Sequence, residues 1–250
     1  MILVLFSLLC IPAGLIYCEA KQQRLNRDLI AAIQRTDTQK TISLLDQGAD
    51  PNARDAPDTR TVWQKLRDSF LRKRPQTIPG TQALVLALPI LARDDFIHKR
   101  PFDKALIAAL LDHGADVDTR AYAEDTPLLL ATWDDDRDLV KIMLAHGANV
   151  NARNNNGDTA LILAAPALVR PLLEKGADVD AQNIDGWTAL IYAAGSNDAA
   201  KVALLLKWHA NVHLKQNTGF TALAWITDKS KVDAPNLHII QMLKKAGANR

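Results

Sequence analysis

Gly147-Ala-Asn-Val-Asn151, followed by Gly157-Asp-Thr-Ala-Leu161, is the stretch that decides the fold of this chain. The first phrase occurs five times and once more in truncated form. Its copies at positions 114, 147, 176 and 209 are separated by 33, 29 and 33 residues. A period near this length is typical of a solenoid, in which each unit stacks on its neighbours. The functional question is therefore which partner is bound rather than which reaction is catalysed. The copies begin at Gly48, Gly114, Gly147, Gly176, His209 and Gly247.

A second phrase follows four of these copies by twelve residues and predicts where helices start. It opens with threonine, whose hydroxyl can accept a hydrogen bond from the first turn of a helix. The Ala and Leu residues after it suit a short inner helix, and an apolar stripe predicts a second helix, as over 199–207. A glycine then ends that helix, and an Asn/Asp-rich stretch forms a turn. The phrases begin at Thr126, Thr159, Thr188 and Thr221.

The paired motif resembles the ankyrin repeat over about residues 24–250. The resemblance implies an all-α, helix-turn-helix solenoid of six units with short hairpin loops, preceded by an N-terminal apolar helix. The first unit is expected to be a cap with helices over 25–34 and 39–47. His209 replaces a helix-ending glycine, which predicts a strained or altered loop. The histidine of the family's Thr-Pro-Leu-His motif is replaced in every unit, by Leu129, Ile162, Ile191 and Ala224.

The second unit is expanded and the fourth is shortened. Gly48 and Gly114 are 66 residues apart, and the phrase at Gly80 aligns with the phrase at Gly157. This alignment divides the excess into insertions at about 56–79 and 93–101. The fourth unit lacks four residues, in a region that contains Pro166 and Pro171.

Composition excludes several classes of function. The net charge is +2, with 15 Lys/Arg against 10 Asp/Glu in residues 1–100 and 15 against 18 in residues 101–250. This imbalance is too small to indicate nucleic-acid binding. Both cysteines, Cys10 and Cys18, precede the repeats, so the repeat domain contains no disulfide or cysteine zinc site.

Residues 1–18 are almost entirely apolar and allow two interpretations. At about 1.5 Å per residue, a helix of this length can cross most of a bilayer core. The charge bias favours a single-pass anchor with the repeat domain in the cytoplasm, because Lys21, Arg24 and Arg27 follow the segment at once and no basic residue precedes it. Residues 19–23 then form a basic juxtamembrane linker, and residues 24–250 form the repeat domain. The alternative is a signal peptide cleaved near Ala20, which would make the protein secreted or periplasmic.

The first insertion carries a basic amphipathic pattern. Val62, Leu66 and Phe70 are spaced by four, which places them on one face of a helix. Such a segment can lie on an anionic membrane, or it can pack its stripe on the solenoid. The residues predicted to face a membrane surface are Lys21, Arg24, Arg27, Lys65, Arg67, Arg72, Lys73 and Arg74.

The sequence carries no convincing catalytic or metal-binding pattern. Asp134-Asp135-Asp136 is interpreted as a helix cap, because it lacks the spacing of a calcium loop. His113 and His146 precede helix-ending glycines, where a helix C-terminus favours a histidine. Phosphate-binding loops, nucleophile elbows and zinc-protease motifs are missing from the sequence. We therefore expect no enzyme activity, cofactor, metal or small-molecule substrate.

The resemblance implies a binding surface made of loop tips and the outer positions of the inner helices. Trp187 and Phe220 precede the capping threonines of consecutive units and should lie on one face, where aromatic side chains are common interface anchors. Tyr192, Trp208 and Trp225 lie inside helical patterns and are interpreted as core or as packing between repeats. The predicted partner-binding residues are Arg120, Tyr122, Trp133, Arg153, Asn155, Asp158, Gln182, Ile184, Trp187, Lys215, Asn217 and Phe220, with Asp125 and Ser196 as neighbours.

The sequence thus predicts a membrane-tethered repeat protein that binds a protein partner. The alternative is a secreted or periplasmic factor that accompanies or protects an enzyme. The membrane lipid would contact only the N-terminal segment, and no nucleic acid is expected.

Overall fold

The structure, a computed structural model, describes residues 13–55, 82–88, 103–228 and 237–248. In these ranges every regular element is a helix, apart from one isolated bridge between Arg54 and Gln82. The all-α prediction is therefore confirmed. The chain forms two compact units, of which the first ends at Thr119 and the second begins at Arg120. The predicted insertions at 56–79 and 93–101 lie outside the described residues.

The first unit contains four described helices. Helix α1 packs against α2 and α3, and α4 packs against α2 and α3. The helix α3 forms where the phrase at Gly80 predicts an inner helix. The buried core of the first unit contains Leu29, Ile33, Leu84, Ile107 and Leu110. The four helices are α1 (Ala13–Gln34), α2 (Thr38–Asp46), α3 (Ala83–Ala87) and α4 (Lys104–Asp112).

Helix α1 is longer than predicted. It begins at Ala13 rather than at residue 25, because residues 15–34 contain neither glycine nor proline to interrupt it. The predicted linker 19–23 is part of this helix and is exposed. No described helix has both the length and the apolar character needed to cross a membrane. Most of the predicted anchor precedes Ala13, outside the described residues, so the anchor stays a prediction.

Polar contacts join α2 and α4. Thr38 Oγ1 donates a 2.6 Å hydrogen bond to Asp103 Oδ2, which holds the pKa of that carboxyl below its usual value. Both ring nitrogens of His113 face oxygens, Ala109 O at 2.8 Å and Asp46 Oδ1 at 3.2 Å. The backbone bond to Ala109 and the Asp46 carboxylate raise the pKa of His113 above 6.5. The contribution of protonated His113 to the free energy of unfolding is therefore complete below pH 6.5, and it is lost as the pH rises through the raised pKa.

The second unit alternates inner and outer helices. The inner helices α5, α7, α9 and α11 pack side by side in this order, and α8, α10 and α12 pack behind them. Each inner helix also packs against the outer helix that follows it. Besides a short 3-10 helix (Tyr122–Glu124), the described α-helices of this unit are α5 (Pro127–Trp133), α6 (Arg137–Ala145), α7 (Ala160–Leu163), α8 (Pro166–Glu174), α9 (Ala189–Gly195), α10 (Ala199–Lys207), α11 (Ala222–Thr227) and α12 (Leu237–Lys245).

Threonines cap three of the inner helices, and aspartates cap the outer helices α6 and α10. Thr188 Oγ1 accepts from Ile191 N at 3.1 Å, and Thr126 and Thr221 act in the same way. Asp136 Oδ1 accepts from Leu139 N at 3.1 Å, which confirms that the acidic run supplies a helix cap. The prediction was wrong for Thr159, because its buried Oγ1 has no hydrogen-bond partner. Helix α7, which belongs to the shortened fourth repeat, has only four residues.

Because Thr188 makes a cap bond and Thr159 does not, we expect the same substitution to change stability differently at these two equivalent positions. Thr188→Val should lower the free energy of unfolding by about 1 kcal/mol, because it removes a cap from the α9 start. Thr159→Val should be neutral or stabilising, since it removes a buried hydroxyl that makes no bond. Urea unfolding of both variants measures the difference. Equal losses would show that the Thr159 hydroxyl does have a partner in solution.

His209 keeps the conformation of the glycine that it replaces. Its φ is 61°, in the left-handed region, and its backbone N–H bonds to Leu206 O at 3.1 Å. Gly147 and Gly176 hold φ values of 81° and 87° at the equivalent position. The turn is therefore not altered, and what remains of the prediction is the strain of a residue with a Cβ in the left-handed region.

Candidate partner-binding face

Long polar side chains join successive hairpin loops of the second unit. Arg120 Nη1 donates to Glu124 O in its own hairpin and to Arg153 O in the next, at 2.8 and 2.6 Å. Arg153 repeats the pattern with Gly157 O and Gln182 O, and Gln182 Nε2 repeats it with Gly186 O and Lys215 O. These three side chains hold the hairpins in a fixed register.

A second set of bonds runs through asparagines at the loop tips. Asn183 Nδ2 donates to Asp158 Oδ1 at 2.8 Å, and Asn217 Nδ2 donates to Ile184 O at 2.9 Å. Backbone bonds accompany them, such as Asn155 N to Ala123 O at 3.0 Å. The hairpin edge is therefore pre-organised before any partner arrives, which reduces the ordering cost of binding.

Four aromatic side chains form a cluster beside these hairpins. Trp187 contacts Trp225 edge to face, with ring centroids 4.6 Å apart and planes at 75°. Trp187 also meets Tyr192 at 6.2 Å, and Trp225 meets Phe220 at 5.7 Å. Edge-to-face packing at these distances is favourable beyond the burial of area. We call these residues, Trp187, Tyr192, Phe220 and Trp225, the aromatic cluster.

Gly195 makes room for the cluster. A Cβ at this position would lie 2.9 Å from Trp225 Nε1, closer than ordinary packing allows. The absence of a side chain near the end of α9 therefore lets the indole of Trp225 approach the backbone of the neighbouring inner helix.

The cluster is accessible, and two further large apolar side chains of the second unit are exposed. Tyr192 is 47% exposed, while Trp187, Phe220 and Trp225 are half-buried. Trp133 at the end of α5 and Ile184 at a hairpin tip are 61% and 63% exposed. Aromatic side chains left in water on a rigid scaffold are typical of recognition surfaces.

Comparison with known proteins identifies the family. The family profile described as "Ankyrin repeats (3 copies)" matches residues 100–183 and 165–249. The chain belongs to the ankyrin repeat family. A crystal structure of an ankyrin repeat domain from Acinetobacter baumannii AYE is similar, with 30% identity and a TM-score of 0.65. The similarity covers 88% of this chain and 98% of that one. No curated protein sequence matches this chain.

Ankyrin repeats are protein–protein interaction modules, and the fold is typically a non-catalytic scaffold. In the part of the chain that the structure describes, no group of His, Cys, Asp or Glu is arranged to hold a metal ion. Cys18 is exposed on α1. The positions where the ankyrin motif has histidine are filled by side chains such as Leu129 and Ile191, which are buried.

The structure divides the predicted binding residues of this ankyrin domain into two groups. Arg120, Arg153, Gln182, Asp158 and Asn217 have side-chain polar groups bonded within the second unit. The apolar residues lie beside them, and Trp225 connects the predicted pair Trp187 and Phe220. Binding by either group stays a prediction. Asn155, Lys215 and Ser196 are exposed, Asp125 is buried, and the side chain of Tyr122 lies outside the described part.

The residues predicted to face a membrane are also divided. Lys21, Arg24 and Arg27 are exposed on α1, and Arg24 Nε lies 4.0 Å from Asp28 Oδ2. Lys65, Arg67, Arg72, Lys73 and Arg74 lie outside the described residues.

Sequence reasoning missed three features near the face. Tyr192 and Trp208 are exposed, so the core alternative was wrong for both. Lys201 was not considered, although it is only 3% exposed. Its Nζ donates to Ile162 O at 2.9 Å and lies 5.8 Å from the ring centre of Tyr192. Burial lowers the pKa of Lys201 to about 8, against the opposing effect of Asp198. A lysine in an outer helix carries no sequence signal for such burial.

Proposed function

We propose that this protein recognises a protein partner through the aromatic cluster, Trp133 and Ile184. The observation that carries the proposal is the exposure of large apolar side chains on hairpins and inner helices that hydrogen bonds already hold in place. Preformed surfaces of this kind bind without a large loss of conformational entropy. The domain acts as an adaptor, and no bond is made or broken.

The test uses exposed residues, because their substitution does not disturb the core. Trp133→Ser and Ile184→Ser should each weaken partner binding by about tenfold or more, as expected of central interface anchors. Leu237→Ser is the matched control, since Leu237 is 71% exposed on the outer helix α12. A photo-reactive side chain at 184 or 237, introduced in the native cell, identifies the partner before affinities are measured.

The two positions give distinct outcomes. Adducts of one defined protein from position 184 but not 237, with affinity lost in Ile184→Ser, would support the proposed face. Adducts from 237 with unchanged affinity of Trp133→Ser and Ile184→Ser would place the interface on the outer helices and contradict the proposal.

We further propose that residues 1–18 anchor the domain in a membrane, with the repeats in the cytoplasm. The exposed Lys21, Arg24 and Arg27 that follow this segment support that orientation. Intact mass and carbonate extraction of the native protein test it. An uncleaved chain in the extracted membrane pellet is expected. A mature chain that begins near Lys21 and is released by carbonate would favour a secreted or periplasmic factor that accompanies an enzyme.

A further inference from the structure

A row of apolar side chains crosses the inner helices of the second unit at one register. Each residue lies four positions after the threonine that precedes its helix, so the four are structurally equivalent. All four are half-buried or exposed, although their neighbours Leu128, Leu161 and Leu190 are fully buried. We call Leu130, Leu163, Tyr192 and Trp225 the apolar row.

The charges beside the row are mostly negative. The inner helices α5, α7, α9 and α11 contain no charged residue, so the charges lie at the hairpin tips and just beyond the helix ends. Glu124 and Asp185 at the tips are exposed. Two of the three basic residues there, Arg120 and Arg153, donate to backbone oxygens of the next hairpin. Three of the acidic residues are also engaged, since Asp125 is buried and bonded to Asn154, Asp158 accepts from Asn183, and Asp135 Oδ2 lies 3.7 Å from Arg137 Nη2. The acidic residues are Glu124, Asp125, Asp134, Asp135, Asp158, Asp185 and Asp228, against Arg120, Arg153 and Lys215.

The opposite balance holds on the outer helices. Within α6, α8, α10 and α12 there are seven basic residues and two carboxylates, Asp138 and Glu174. The outer helices of this unit are therefore predominantly basic even without the buried Lys201, whereas the hairpin tips and inner-helix ends are predominantly acidic. A segregated charge of this kind steers association and selects partners by sign. The basic residues are Arg137, Lys141, Arg170, Lys201, Lys207, Lys244 and Lys245.

Lys201 does not offset the negative charge at the surface. Its side chain is buried beneath Tyr192, and its Nζ is directed to Ile162 O. Its ammonium group donates to a carbonyl near the end of the four-residue helix α7. The exposed part of the row is therefore apolar and aromatic, and the exposed carboxylates Glu124 and Asp185 lie on hairpins that precede its helices.

We propose that the apolar row binds a basic segment of the partner protein, with aliphatic or aromatic anchors between Lys or Arg side chains. This inference rests on the proposed function and names its partner class. The anchors contact Tyr192 and Trp225, and the cations lie near Glu124 and Asp185. Phosphate-rich partners are disfavoured, because the same carboxylates repel them.

Two synthetic peptides test the partner class. One consists of leucine, tryptophan and lysine, and the other has glutamate at every lysine position. The lysine peptide should bind the intact protein at least tenfold more tightly than the glutamate peptide, and its affinity should fall as salt screens the charges. Fluorescence anisotropy of the labelled peptides gives both dissociation constants.

Matched charge variants locate the binding. The double variant Glu124→Gln/Asp185→Asn should raise the dissociation constant of the lysine peptide by about threefold to tenfold, because two carboxylates at the rim of the site are removed. Asp138→Asn/Glu174→Gln removes the same charge from the outer helices and should leave the affinity unchanged. Tyr192→Ser should weaken binding of the lysine peptide at every salt concentration.

Three results would overturn the inference. Equal or tighter binding of the glutamate peptide would exclude a basic partner, and equal losses in the two charge variants would show a response to net charge alone. Concentration-dependent self-association abolished by Tyr192→Ser would show that a second copy of this chain covers the row. The proposed function would survive the first result if Ile184→Ser still weakened binding of the native partner, so the two failures are distinguishable.

Discussion

Gly186→Ala is expected to destabilise the protein by about 3 kcal/mol, because it combines an unfavourable backbone conformation with a steric clash. Gly186 has φ +78°, which costs a non-glycine residue free energy by itself. An added Cβ would also lie 2.8 Å from Asn217 Oδ1 and 2.9 Å from Asn217 N. The hairpin of the next repeat must then shift, and the bond from Asn217 N to Asp185 O is lost. Chemical denaturation measures the loss.

Gly176→Ala separates the two contributions. Gly176 has φ +87°, but a Cβ there would meet nothing within 4 Å. This variant should lose only about 1–2 kcal/mol, the cost of the left-handed conformation. If both variants lost the same amount, the contact between the hairpins would contribute nothing to stability.

Stability should rise with pH between about 8 and 10.5, and Lys201→Met should remove this rise. The pKa of Lys201 is about 8 in the folded protein, against 10.5 as the ordinary value. Between these values the unfolded chain binds the proton and the folded chain does not, so raising the pH favours folding. At about 1.4 kcal/mol per pKa unit, the full difference is about 3 kcal/mol. Neutral Lys201 can still donate to Ile162 O, so the hydrogen bond survives the titration.

Urea unfolding at several pH values across this window provides the measurement. Lys207→Met is the matched control, because Lys207 is exposed at the end of the same helix, and it should keep the rise of the unmodified protein. Groups that titrate in all three proteins cancel in the comparison. Parallel curves for Lys201→Met and the unmodified protein would contradict the burial of this ammonium group.

Much of the repeat architecture could be predicted from local signals. The start of α9 at Thr188 and the cap at Asp136 depend on side chains that bond to backbone within three residues. Thr159 has the same residue type and spacing, yet it makes no cap bond, because the shortened α7 differs from its neighbours. Helix α1 began earlier than predicted, since the repeat motif marks units and not the continuation of a helix beyond them.

The candidate face could be predicted only in part. Arg120, Arg153 and Gln182 recur at one register and were assigned to partner binding, but the same recurrence is required for bonds between successive hairpins. Trp225 was assigned to the core or to packing between repeats, since a tryptophan in a helical pattern is usually well buried, and its contact with Trp187 is of the second kind. The indole of Trp225 contacts both Trp187 and Phe220 only because α11 packs closely against α9 at Gly195.

The sequence by itself determined the family, the period, the helical class and the glycines and caps that delimit most helices, because each depends on residues close together along the chain. The tertiary structure alone decided which polar side chains form hydrogen bonds between hairpins, that Lys201 is buried, and which aromatic residues are exposed. These outcomes depend on side chains about 30 residues apart that meet only when units stack. Lys201 is an example, because its Nζ bonds to Ile162 O in the four-residue helix α7 of the preceding repeat.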